Sequence, residues 1–296
     1  MTRPHVALSL SARRSLANQA MQAAIATRAR AQRDQHSPLC VYGLCESLGV
    51  TVRFNDINME GMYQRGTPPR IHLSARRPLP RRAFNCAHEL GHHIFGHGSS
   101  IDELREDADR APWEDPKELL ADTFASFVLM PTLGIRRAFA SRGWAPETAT
   151  PVQLFTVACD FGVGYATLVT HLAVGIGALP RARFQALRRA TPKTLRAEIL
   201  GENSADPLIV ADLHRASTTL DAEVGTQILL PSNVAVVSEA LAYERTLAVG
   251  NLFRAVRSGI VQLRSADGSW AVFVRISPKE YTGLAQYRHL EDDPDE

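Results

Sequence analysis

"CAHELGHHIFGHG", residues 86 to 98, sets four histidines and one glutamate on a stretch whose flanks mark it as a helix. The longer run "PLPRRAFNCAHELGHHIFGHG" opens on prolines suited to a first helical turn and closes on glycines at 96 and 98. His88 and His92 are four residues apart, so on a helix their imidazoles share one face, offset by only about 40°. Two neutral imidazoles placed like this can bind one zinc ion. Glu89, in the same turn, can point toward a water on that ion without ligating it. A site of this H-E-x-x-H kind makes Glu89 the general base and leaves a third ligand to be found elsewhere in the chain. The bland alternative is that the motif is short and that histidines on helices are more often packing or surface residues. Gly91 weighs against it. A glycine inside a helix costs about 1 kcal/mol relative to alanine, so its presence predicts close packing by another element at that spot. Phe84 and Phe95 fall on the histidine side of the helix.

The other two histidines differ from this pair. A third histidine ligand in the H-E-x-x-H-x-x-G-x-x-H spacing needs glycine at 95 and histidine at 98, where this chain has Phe95 and Gly98. His97 falls one residue short, and with His93 it is read as a rim or packing residue. Cys86, two residues before His88, points to a different side of the helix.

An acidic third ligand must then come from downstream. Glu103, Glu106, Asp107, Asp109, Glu114 and Asp115 lie in a segment with no apolar pattern, broken by Pro112 and Pro116, and residues 101 to 115 are read as a loop. "PKELLADTFASFVLMP", residues 116 to 131, reads as an apolar helix on which Glu118, Ala121, Asp122, Ala125 and Leu129 share a face. Its two alanines permit close approach to the histidine helix. Glu118 can complete a His₂Glu set with a fourth position open to water. Asp122 can accept the outer N–H of a ligating histidine and fix its tautomer. Capping competes for Glu118, because Asp115 as N-cap would put Glu118 at the third helical position of a capping box. Capping leaves Asp122 on an apolar helix without explanation.

"FNCAHELGHHIFGH" followed by "ELLADTFASFVLMP" resembles the ImmA/IrrE family of zinc metallopeptidases. The second motif of that family is matched by Glu118, Ala121, Asp122, Phe124, Ala125, Leu129, Met130 and Pro131, with Val128 where leucine is usual. "SLGVTVRF", "EGMY" and "RIHLS" fit the family's approach to the first helix, and the match spans roughly residues 37 to 131. The resemblance implies one Zn²⁺ held by His88, His92 and Glu118, with Glu89 as general base and Asp122 in support. It implies an endopeptidase with a narrow protein substrate, a helix-turn-helix repressor or antitoxin, acting in a stress or DNA-damage response. Tyr63, ending "EGMY", is placed at the border of the substrate cleft without a catalytic role.

The rest of the chain frames this site. Its 296 residues leave room for two domains, and the hydrophobic fraction of 45% supports a real core. A net charge of +2 gives no pointer to nucleic acid or membrane. The four cysteines form no C-x-x-C pair, which reads as reduced thiols in a cytoplasmic protein. No apolar run reaches the roughly 18 residues that span a membrane. The Ala- and Arg-rich N-terminus is read as an amphipathic helix with Leu16, Met21, Ile25 and several alanines in its buried stripe, in preference to a transit peptide. A helix capped by Ser37 and ended by Gly49 follows, then strands in "VTVRFNDI" and "PRIHLS".

"VQLFTVACDFGVGYATLVTHLAV" has the outline of a helix-turn-helix. Its second helix offers only Tyr165, Thr167, Thr170 and His171 to read bases, so it is expected to pack against the catalytic part, and direct DNA binding is not expected. From about Asp206 the chain turns to short strand-like runs, including "VAVVSEAL" and a hairpin about "SADGS", and ends in an acidic tail read as disordered. The expected fold is α+β: a zincin-like domain over 1–140, a helical segment over 141–200 and a β-rich, regulatory unit over 201–296. The rival from another class is a regulator that works by binding a repressor, antitoxin or DNA, its zinc site structural or vestigial.

Overall fold

The computed structural model describes residues 8–102, 115–215 and 218–290. The first part runs α1 (Leu10–Arg30), α2 (Val41–Ser47), β1 (Thr51–Asn55), β2 (Gly61–Gln64), β3 (Arg70–Ser74), α3 (Leu79–Ile94), β4 (Ser100–Asp102), α4 (Pro116–Leu129) and α5 (Thr132–Ala140). The four strands pair in the order β1-β3-β2-β4, with β1 parallel to β3 and the other pairs antiparallel. Alternation drives one face inward: Val52 and Phe54 on β1 and Ile71 and Leu73 on β3 are buried, whereas Arg53 is exposed. Residues 101 and 102, the start of the expected loop, join Ser100 in a short edge strand paired with β2. The remainder of that expected loop, 103–114, lies outside the described residues, as does the acidic tail from 291.

α4 lies between α1 and α3 and is apolar on more than one face, burying Leu120, Phe124, Phe127, Val128 and Leu129. This position decides which residues of the expected stripe on α1 are fully buried. Its buried face is Ala20, Ala24 and Thr27, and Ile25 is exposed, because small side chains let α1 approach α4 closely. Arg28 ends that face. Its guanidinium donates to the carbonyls of Val128, Asp34 and Ser37 at 2.6, 2.7 and 2.5 Å, satisfying an orphan carbonyl in the last turn of α4. The Ser37 carbonyl is thus an acceptor for α1. The next helix begins later than expected, with Cys40 and not Ser37 at its N-cap.

The helical segment contains α6 (Pro151–Phe161), α7 (Tyr165–Thr170), one π turn at His171–Gly175, α8 (Arg181–Leu187) and α9 (Pro192–Leu200). A Thr150 capping box opens α6, and left-handed Gly162 closes it. α6 meets the α7 end at 102°, a helix-turn-helix angle. Tyr165, Leu168, Val169, His171 and Leu172 of the second helix and its π turn are all buried in the core shared with the first part.

The last part forms β5 (Leu208–Val210), β6 (Thr219–Glu223), β7 (Gln227–Leu230), β8 (Val234–Ala235), β9 (Leu241–Leu247), β10 (Gly250–Ala255), β11 (Gly259–Ser265), β12 (Ala271–Ser277) and β13 (Gly283–Leu284). Two four-stranded sheets, β5-β7-β10-β9 and β6-β12-β11-β8, enclose a second core that includes Leu220, Ile228, Leu263, Val272 and Val274. The expected strand "VAVVSEAL" is strand only at its two ends, Val234–Ala235 and Leu241. Val237 is almost fully exposed, and pairing resumes at Leu241. The chain then returns: β13 pairs antiparallel with β1 and completes a five-stranded first sheet. Mixed helix and sheet, with a β-rich C-terminal region, is the α+β class expected. Among the described residues no single helix is long and apolar enough to cross a membrane.

Candidate metal site

Helices α3 and α4 pack tightly at Gly91. A Cβ there would lie 3.0 Å from the Ala121 Cα and 3.2 Å from Phe124 Cδ1. The glycine that weakens α3 locally is thus the one that lets α4 slide against it. That approach brings Glu118 over the two histidines. Donor atoms of His88, His92 and Glu118 all lie within 4.8 Å of one another and could hold a metal ion. The His88 and His92 Nε2 atoms are 3.0 Å apart, and Glu118 oxygens lie 3.3 Å from the first and 3.7 Å from the second. Capping does not take Glu118 away: the Asp115 carboxylate alone caps α4, accepting from the Lys117 N–H at 2.8 Å.

Asp122, one turn on, places Oδ1 2.8 Å from His88 Nδ1. Glu89 is fully buried on the same helix turn and lies against β2, where a Cβ on Gly61 would come within 2.8 Å of its Oε1. Strand β2 therefore has a glycine where the glutamate needs room. Two residues further along β2, the buried Tyr63 hydroxyl lies 2.8 Å from His93 Nδ1. Burial pushes the His93 imidazole below its usual range, with Arg30 adding in the same direction. Cys86 faces away from the histidines toward Cys45, the sulfurs 3.7 Å apart.

One residue has a larger place than its spacing promised. His97, excluded as a ligand, sets its Nδ1 3.0 Å from His92 Nδ1. Burial, then Lys117, lowers its pKa. The reading as a rim or packing residue does not name this contact; the sequence signal for it was the glycine at 96 that turns the chain back.

A cavity of about 1050 Å³ opens on this group and runs from His88 and Glu118 past Phe84 and the α6–α7 turn at Tyr165 to Glu223 on β6. Three parts of the molecule thus wall one cleft. A second space of about 890 Å³, lined by α2 and residues 284–290, does not reach His88 or His92.

Residues 45–172, from α2 through the first residues of the π turn, match the model of peptidase family M78, the IrrE N-terminal-like domain. The match takes in both helices of the candidate site and the helix-turn-helix-like pair, and it bears out the resemblance carried by the two motifs. A search of curated proteins finds no match.

Proposed function

From a chain that carries the IrrE N-terminal-like domain of the M78 peptidases over residues 45–172, we propose a zinc-dependent endopeptidase. Its substrate is one specific protein, a helix-turn-helix repressor or antitoxin, cleaved in a stress or DNA-damage response. The observation that carries the enzyme reading is the convergence of His88, His92 and Glu118. Ligands about 2.0–2.1 Å from a tetrahedral ion sit roughly 3.3 Å apart, and the separations of 3.0, 3.3 and 3.7 Å fit that requirement. Two imidazoles and one carboxylate are also the donor set of hydrolytic zinc sites, which leave a position open.

A zinc ion held there supplies Lewis acidity, polarising a carbonyl and acidifying water. Glu89 accepts the proton of the attacking water on its carboxylate and returns it to the departing amine nitrogen as the C–N bond breaks. Asp122 holds the Nδ1 proton of His88, so that Nε2 presents its lone pair to the metal. The walled cleft favours a segment that enters extended, which supports a narrow protein substrate.

Glu89→Gln tests the reading. The variant is expected to keep zinc and no longer cleave its helix-turn-helix repressor or antitoxin substrate, scored by gel and mass spectrometry. A Glu89→Gln chain that still relieves repression in cells would overturn the enzyme and leave a binding regulator.

A further inference from the structure

Helix α3 ends in a two-bond cap. The Gly96 N–H donates to the His93 carbonyl at 3.2 Å and the His97 N–H to the His92 carbonyl at 3.0 Å, with Gly96 at φ 66°. This is a Schellman termination, which folds the residue after the glycine back over the residue five positions earlier. That pair ordinarily makes an apolar contact. Here it is His97 over His92, with ring centroids 5.0 Å apart and Nδ1 atoms 3.0 Å apart. Phe95 stacks on the His97 ring at 5.6 Å and 21° and meets Phe124 of α4 edge-on at 6.0 Å. The ring is therefore held by the cap and by the neighbouring helix together.

His88 and His92 turn Nε2 toward each other and toward Glu118, so their Nδ1 atoms face away from the centre. In a ligating imidazole the hydrogen bond at the outer nitrogen sets which nitrogen carries the proton. His88 has Asp122 for this. We propose that His97 does the same for His92: a neutral His97, protonated on Nε2, accepts the His92 Nδ1–H and keeps its Nε2 lone pair on the metal. His97 is a positioning residue, and its role rests on the zinc reading given above. The two partners are unlike in kind. The carboxylate makes His88 the more basic ligand, whereas the imidazole orients His92 without adding charge.

The cap supplies the control for the experiment. His97→Leu keeps the apolar contact that such a cap ordinarily makes and removes the acceptor; His97→Gln restores an accepting oxygen. Zinc affinity of the full chain is measured by chelator competition, and the Tm of the metal-free protein is measured alongside. The Leu variant is expected to bind zinc about 10–100-fold more weakly with its metal-free Tm unchanged, and the Gln variant to recover most of the loss. A Leu variant that binds zinc as tightly as the natural chain overturns the role. So does an equal loss in both variants accompanied by a fall in metal-free Tm, which makes His97 a cap residue alone. A natural chain that binds no zinc overturns the zinc reading itself, a result independent of residue 97.

Discussion

Carboxylates in this protein face two kinds of cation-capable partner. Where the β sheets join the helices, Asp160 and Asp212 meet guanidinium groups. Arg142 donates to both oxygens of Asp212 at 2.7 Å and to Asp160 at 3.2 Å, while Arg215 lies 3.7 Å from Asp160. Asp221 on β6 is gripped by Arg275 at 2.6 and 2.7 Å, with Arg288 and His289 within 3.5 Å. Burial alone would raise the Asp221 pKa, but His289, Arg288 and Arg275 more than offset it and hold the carboxyl below its usual range. Arg82, six residues before His88, pairs with Glu223 and ties the histidine-bearing helix α3 to β6. At the α3–α4 contact, by contrast, Glu118 and Asp122 face imidazoles, and among the described residues no guanidinium pairs with either. A guanidinium is charged at every accessible pH and cancels its carboxylate permanently. An imidazole is largely neutral near pH 7, so the carboxylate beside it keeps charge to offer a metal ion. The first arrangement is a joint; the second is a place for a cation.

That contrast can be broken. Arg142→Ala leaves the buried Asp160 and the half-buried Asp212 short of a partner and should destabilise by about 3–5 kcal/mol in urea unfolding, with zinc affinity of the folded chain unchanged. A joint that acts on the site would instead lower zinc affinity. Glu118→Ala should do the reverse, cutting zinc affinity by more than the about 10–100-fold expected for loss of an outer partner while metal-free stability barely moves.

A third test concerns a buried imidazole that is in neither group. His171 Nε2 lies 2.9 Å from the Met130 carbonyl, and burial lowers its pKa to about 4. Between that value and the unfolded value of about 6.5, only the unfolded chain takes the proton, so stability falls as pH drops through this window. The loss is at most about 3 kcal/mol. His171→Leu should flatten that part of the pH profile, and an unchanged slope would show that the proton is taken elsewhere. The smallest effect belongs to Asp115→Ala, which removes a cap worth about 1 kcal/mol and should leave zinc binding intact.

Much of the candidate site was legible because helices are periodic. The four-residue spacings of His88 with His92 and of Glu118 with Asp122 fix which side chains share a face, and Gly91 announced a close neighbour. His97, excluded as a ligand, was read as a rim or packing residue, and the glycine before it marks the chain reversal that sets its ring on His92. On α1 large side chains and alanines were both expected in the buried stripe; the distance to α4 buried the alanines fully, left Leu16 and Met21 partly buried against the core and exposed Ile25. Hydropathy cannot see that distance.

By itself, the sequence determined two helices, the faces that bear histidine and carboxylate, and a change to strand after the helical segment. Those are consequences of backbone period and side-chain type within a few residues. Only the tertiary structure decided that α4 approaches α3 closely enough to join their faces, that β13 returns to pair with β1, and that the second helix of the helix-turn-helix pair is buried. Each of these depends on contacts between residues distant in the chain, whose partners are selected by packing and by pairing of buried charge, and no local pattern records that choice.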